Sequence, residues 1–518
     1  MSSAKAQEFT GWRAFLWPVH RHELRKLVPM LLILFLITID YNILRTMKDT
    51  LVVATGKHSG AEVIPFIKVW VMFPGAVLMT YLFTRLSNRF KRETVFYLIL
   101  GLFLAFFVLF VVALYPNREV IHPEGFANQL QAYLPPGLKG FVAMIRNWSF
   151  TTFYVMAELW SNIVLFLLFW GFANQITHLG EAKRFYAILG IATNFSGIFA
   201  GELAVTVSQL PYFDWIPYGA VAWDQQMLMM VVIVVICGLG AMAIYRWMHT
   251  HVIDEETGET VADSKGEVQG RMSMRDNFSY LLNSRYLLYI AVLVLAYNMI
   301  INLVEVPWKH QVKELYPNPS DFSLYMNRVM MTIGIIATIT SFCMTGNIIR
   351  IFGWSFTAML TPLLLLVTSV LFFSALFMKE HLHAIADSLL GMTPLSLVVF
   401  LGTLQNCISR GAKYTIYDAT KEMAFVPLSQ ECKIKGKAAI DGVCSRMGKS
   451  GGSVVHQYLL FFSGSVVNAL PYLASVLGAV LVVWMISVRA LGIQFNALTD
   501  GKAEEKAPEP LEPALQPQ

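Results

Sequence analysis

Runs of predominantly apolar residues, each about 20 residues or longer, recur twelve times along the chain, at 27–47, 62–84, 94–115, 149–172, 185–209, 225–246, 284–306, 324–345, 354–378, 393–417, 437–463 and 468–490. A helix needs about 20 apolar residues to cross the hydrocarbon of a bilayer. Backbone amides find no water there, so each run must close its own hydrogen bonds as a helix. The expected fold is therefore an all-α polytopic membrane protein with about twelve transmembrane helices. The composition agrees: of 518 residues, 56% are hydrophobic and 14% are charged, which excludes a soluble domain of this length. The net charge of +5 is spread between the apolar runs rather than gathered in one patch, which argues against nucleic acid as a partner. Cys237, Cys343, Cys407, Cys432 and Cys444 show neither paired nor metal-ligand spacing.

The loops give an orientation. Arg21, Arg25 and Lys26 precede the first run, Arg85, Arg89, Lys91 and Arg92 follow the second, and Lys183 and Arg184 follow the fourth. Arg271, Arg275 and Arg285 stand at the entry to the seventh, and Lys433, Lys435 and Lys437 at the entry to the eleventh. The loop 210–223 carries no Lys or Arg. Positive loops stay inside, so both termini are expected in the cytoplasm. The expected organisation is an interfacial segment at 1–26, with Trp12, Phe15 and Leu16 as its apolar contacts. A six-helix half at 27–246 follows, then a charged cytoplasmic linker at 247–283, a second six-helix half at 284–490, and a disordered tail at 491–518 rich in Pro, Glu, Ala and Lys.

The halves are related in sequence. A shift of 256 places Tyr41-Asn42 on Tyr297-Asn298, and carries Asn42, Thr46 and Asp49 onto Asn298, Asn302 and Glu305. A shift of 252 places Ala187-Ile188-Leu189-Gly190 on Ala439-Ile440-Asp441-Gly442 and Glu158 on Arg410. Two six-helix pseudo-repeats in the same orientation are the plan of major-facilitator-like carriers, which hold substrate between the halves near mid-membrane.

Charged and polar residues inside the runs are costly and so are the candidate functional groups. Tyr41, Arg45 and Lys48 are spaced i, i+4, i+7, one face of the first helix. Terminal cations can also snorkel to lipid headgroups, so position alone does not decide their role. Tyr154, Glu158 and Asn162 form a stripe on the fourth helix, and Asn298, Asn302 and Glu305 on the seventh, followed by Pro307, which either kinks that helix or ends it. The tenth run is unusually polar, with Asn406, Arg410, Lys413 and Tyr417 on one face. In the eleventh, Gly448-Lys449-Ser450 imitates part of a P-loop, but Gly442 is one residue too far upstream and no strand precedes it. Arg446 and Lys449 remain as i, i+3 cations among small residues. Gly197 and Gly201 read as a helix-packing face. Arg45, Lys48, Arg446 and Lys449 would give a central cavity positive potential, which suits a polyanion and not a neutral sugar or a cationic drug. Tyr41, Phe195, Asn162 and Asn298 offer the aromatic faces and amides that a nucleotide base needs.

Several stretches resemble the non-mitochondrial ATP/ADP antiporters of plastids and obligate intracellular bacteria. They are the run from Tyr41 to Val53, Ala157-Glu158-Leu159-Trp160, Phe169 to Gln175, Asn302 to Lys309, and Lys435 to Asp441. The resemblance implies a multi-pass protein of a bacterial inner membrane that exchanges ATP for ADP, with inorganic phosphate as a further partner in some members, and with no cofactor. It also implies four charged positions that matter for transport. These fall on Lys48, Glu158 and Glu305, and in the last case on Lys449, with Arg446 or Lys437 as alternatives. Proton-coupled nucleotide symport and NAD/ADP exchange stay open. A nucleotide hydrolase is disfavoured, because neither a P-loop nor a clustered Asp/Glu set for a catalytic metal is present.

Overall fold

The structure is a computed structural model. It describes residues 19–177, 179–253, 284–344, 347–382, 391–428, 436–437 and 440–499. The expected interfacial segment around Trp12, most of the linker and the tail beyond residue 499 lie outside the described residues.

Among the described residues there are twelve long helices. In the first half they are α1 (Leu24–Thr55), α2 (Val63–Arg89), α3 (Arg92–Leu114), α4 (Trp148–Ile176), α5 (Leu179–Ser208) and α6 (Ala222–Met248). In the second they are α7 (Arg285–Leu315), α8 (Pro319–Met344), α9 (Asn347–Phe377), α10 (Pro394–Ala412), α11 (Ser445–Ser463) and α12 (Val466–Thr499). Ten are long and apolar enough to cross a membrane by composition alone. The other two are α10 and α11, whose polar stripes lower their hydropathy below that of a lipid-facing helix. In α10 the polar side chains Gln405, Asn406 and Ser409 are buried in protein, as are Ser453 and His456 in α11, so these groups avoid lipid.

The internal repeat appears in the packing. α1 lies against α5 and α6, and α7 lies against α11 and α12, which is the same arrangement six helices later. The halves meet through α5 on α8 and through α2 on α11, again a symmetric pair. Even a local bond repeats at the 256-residue offset. The Asn42 amide donates to the Thr38 carbonyl, and the Asn298 amide donates to the Val294 carbonyl, both at 2.8 Å.

Small residues set these approaches. Gly197 lies over Gly334, and a Cβ on Gly201 would strike Met331, so the small face of α5 packs on α8 as expected from its spacing. Gly448 and Gly452 likewise admit α7, its backbone at Leu295 and Met299 and the Cβ atoms of Asn298 and Asn302. α9 breaks at Gly353, whose φ of 78° is open to glycine at little cost.

The polar contacts between the halves gather at the end where α1 and α7 finish. Gln457 of α11 donates to the Pro65 carbonyl at 2.9 Å and accepts from the Trp70 indole at 3.1 Å. Lys313 donates to the Ser59 carbonyl, and Asn327 of α8 donates to the Ser208 hydroxyl at 3.1 Å. Gly137, in the segment joining α3 to α4, sits so close to the end of α11 that a Cβ would overlap the Leu460 carbonyl. At the opposite end, the ion pairs among the described residues stay within a half: Lys26 with Glu181, Arg184 with Glu23, and Lys421 with Asp441.

Candidate functional site

The charged residues of α1, α2, α4 and α7 form one continuous chain of ion pairs. The Lys48 ammonium lies 3.2 Å from Glu158 and 3.3 Å from its neighbour Asp49. Asp49 continues to Lys309 at 2.7 Å, and Lys309 to Glu305 at 2.6 Å. Glu305 then meets Lys68 at 2.7 Å, and Lys68 also donates to Asn302 at 2.5 Å. The signs alternate from Glu158 to Lys68, three negative and three positive, so the chain is neutral.

It crosses between the halves twice, at Asp49–Lys309 and at Lys68–Glu305. Asp49 and Glu305 are the two acids that the 256-residue shift superposes, and they meet on the same ammonium. Lys48 is only 4% exposed and Lys309 only 1%. Each buried ion therefore depends on its partners, because an unpaired charge there would cost several kcal/mol. The Lys48 ammonium also lies 3.8 Å above the centre of the Tyr154 ring. This geometry argues against snorkelling, since a snorkelling lysine would reach outward to headgroups rather than inward to two carboxylates.

Local backbone features place these groups. α1 passes from α-helix into a π-helical segment at Thr50–Thr55, one residue beyond Asp49. Lys68 lies within a π segment at Ile67–Val71, and α4 turns π-helical at Ser161–Trp170, just after Glu158 and through Asn162. Wider turns rotate the side chains that follow them and recur at functional sites. Pro307 does not end its helix, because α7 continues to Leu315. Proline lacks an N–H, so the Leu303 carbonyl loses its helical donor. His456 of α11 supplies the replacement, with Nε2 at 3.2 Å from the Leu303 oxygen.

A narrow cleft, with room for little more than a water molecule, lies against this chain. Arg45, Asp49, Lys309, Asn406 and Arg410 are among the residues lining it, which places cations from both halves around one space. The Arg45 guanidinium is 5.9 Å from the centre of the Tyr41 ring. Arg410 has the Met330 sulfur at 3.8 Å. Asn298 lies beside Gly448, next in sequence to Lys449. Lys449 and Arg446 are exposed on α11.

Of the expected residues, Lys48, Glu158 and Glu305 belong to the ion chain, while Phe195 and Lys437 make their contacts elsewhere. Phe195 is exposed and stacks on Phe35 at 6.4 Å. Lys437 is paired with Glu422 at 2.5 Å, within its own half. Lys68, Lys309 and His456 were not singled out by sequence reasoning. A lone lysine within an apolar run was the available signal for Lys68.

A family model described as TLC ATP/ADP transporter matches residues 2–495. The chain belongs to the TLC ATP/ADP transporter family. It is 42% identical over 517 residues to ADP,ATP carrier protein 1 of Chlamydia pneumoniae, covering 99% of this chain and 100% of that protein. It is 39% identical over 483 residues to ADP,ATP carrier protein 2, chloroplastic, of Arabidopsis thaliana, covering 93% of this chain and 76% of that one.

Among solved structures, a bacterial homologue of the iron transporter ferroportin in an inward-facing state superposes with a TM-score of 0.54 at 12% identity. That match covers 92% of this chain and 100% of the other. The xylose transporter XylE from E. coli, in a partially occluded inward open conformation, gives 0.52 at 11% identity, with 94% and 100% covered. At such low identity these two show the shared fold alone. Membership of the TLC family accords with a carrier rather than an enzyme.

Proposed function

We propose that this protein exchanges ATP for ADP across a bacterial inner membrane by alternating access. Both termini face the cytoplasm, and inorganic phosphate is a candidate co-substrate. The observation that carries the mechanism is the neutral ion chain joining the halves through Asp49–Lys309 and Lys68–Glu305. With the termini inside, the joined end is the outer one, and the conformation described is closed outward. Nucleotide enters between the halves, and Tyr41, Asn162, Asn298 and Phe195 are the candidates to meet its base and ribose. Arg45, Arg410, Arg446 and Lys449 are the cations available to the phosphates.

Polyphosphate competes with Glu158, Asp49 and Glu305 for the lysines of the chain. Binding is then an exchange of ionic partners, and it loosens the joint between the halves. Without substrate the lysines return to their carboxylates and the halves stay locked. An empty carrier that cannot reset enforces one-for-one exchange. A proton-driven symporter needs no such lock.

Purified protein in liposomes tests the exchange. Labelled ATP should accumulate in vesicles loaded with ADP and not in vesicles without internal nucleotide. Filling of unloaded vesicles when a proton gradient is imposed would replace exchange with symport.

A further inference from the structure

The six charged groups of the ion chain cancel, yet the cavity beside it holds two further cations. Arg45 comes from α1 in the first half and Arg410 from α10 in the second, and both line the same space. Among the described residues neither has a carboxylate at ion-pair distance. The recorded contacts are weak ones: the Tyr41 ring at 5.9 Å for Arg45 and the Met330 thioether at 3.8 Å for Arg410. A thioether is a poor acceptor, so most of the five N–H donors on each guanidinium are uncommitted. Asn406, 4% exposed, lines the same space and donates its amide to the Gly402 carbonyl at 2.9 Å. Two half-buried guanidiniums around one cavity repel each other until an anion joins them. The planar fork of arginine matches two oxygens of a phosphoryl group at once.

We propose that Arg45 and Arg410 form a two-armed clamp for the terminal phosphoryl groups of the nucleotide, one arm from each half, an assignment that rests on the nucleotide-exchange reading above. The work is divided between the two kinds of cation. The lysines of the ion chain hold the halves together, and the arginines read the phosphate tail. A ligand gripped from both halves keeps them in register while the lysine contacts change partners. The adenosine end lies outside the clamp, so affinity depends on the number of phosphates.

The test is equilibrium binding to the purified full-length protein in lipid nanodiscs, with ATP, ADP, adenosine, inorganic pyrophosphate and orthophosphate as probes. Pyrophosphate should displace labelled ADP. Arg45→Gln and Arg410→Gln should each weaken ATP, ADP and pyrophosphate by about 10–100-fold while leaving adenosine unchanged. Arg45→Lys and Arg410→Lys keep the charge and the fold but lose the fork, and should weaken the same probes by an intermediate factor.

Unchanged ATP affinity in both glutamine variants would overturn the clamp, as would equal losses for adenosine and ATP. Orthophosphate that binds together with ATP, and is lost in the same variants, would give the cavity to a free ion and also overturn it. Absence of any nucleotide binding by the unmodified protein is the distinct result that would remove the exchange reading itself.

Discussion

Lys309 is the residue on which the closed end turns. Its ammonium is shared between Asp49 and Glu305, one acid from each half, at 2.7 and 2.6 Å. Replacing it with glutamine leaves two buried carboxylates to share the remaining lysines, Lys48 and Lys68. Breaking a buried pair costs about 3–5 kcal/mol, and the surviving partners place this case near the lower end. Lys309→Gln should therefore lower the thermal midpoint of the purified protein, and Asp49→Asn added to it should restore part of the loss. A double-mutant cycle measures that coupling, and simple additivity of the two changes would contradict the shared ion.

Much of the site could be read from sequence. Lys48, Glu158 and Glu305 stood out as charges in apolar runs, and the chain joins all three. Lys309 was hidden because it follows Pro307, where a span could equally well end, and a lysine beyond a span end reads as solvated. Its partner Asp49 aligned with Glu305 in the repeat, but only the packing of α1 on α7 shows that both acids face one ammonium. Arg410 was visible as the counterpart of Glu158, yet its sharing of a cavity with Arg45 depends on tertiary structure.

Among the helices, the joint between α7 and α11 depends on a missing hydrogen. Pro307 leaves the Leu303 carbonyl without its helical donor, and the buried His456 fills the vacancy. His456→Ala should orphan that carbonyl and cost about 1–3 kcal/mol of stability. Pro307→Ala returns an N–H to α7, so it should rescue His456→Ala while being close to neutral alone. Thermal denaturation of the two single variants and the double variant checks this, and a double variant no more stable than His456→Ala would contradict it.

The segment between α3 and α4 carries a titratable contact outside the membrane. His122 lies 2.7 Å from the Ser149 hydroxyl, and burial lowers its pKa to about 4 from an ordinary 6.5. The unfolded chain then takes up the proton more readily than the fold does. The stability contributed by neutral His122 is complete above about pH 6.5 and falls as the pH drops toward 4. The thermal midpoint should decline across that window, and less steeply in His122→Gln. Helix positions were largely legible from hydropathy, since loss of backbone hydration inside a bilayer leaves few alternatives. The π-helical segments at Thr50–Thr55 and Ser161–Trp170 were not, because apolar residues suit either helical pitch.

At the scale of the whole molecule, two six-helix halves meet through α5 on α8 and α2 on α11, and are joined at one end by the ion chain. The Gln457, Lys313 and Asn327 contacts and the close fit of Gly137 against α11 reinforce the same end. An exchanger must resist resetting when empty, and alternating charges across the interface provide that resistance. Glu305 is the decisive member, because it takes Lys68 from the first half and Lys309 from its own helix. Glu305→Gln keeps the shape and removes the charge, so it should weaken the lock while sparing the arginines of the cavity. The most direct measurement is uptake of labelled ATP into proteoliposomes with and without internal ADP, for the unmodified protein and for Glu305→Gln. The unmodified protein should fill only the ADP-loaded vesicles, whereas Glu305→Gln should exchange more slowly and admit ATP into unloaded vesicles as well. A Glu305→Gln protein that binds ATP normally yet still requires internal ADP as strictly as the unmodified protein would contradict the lock.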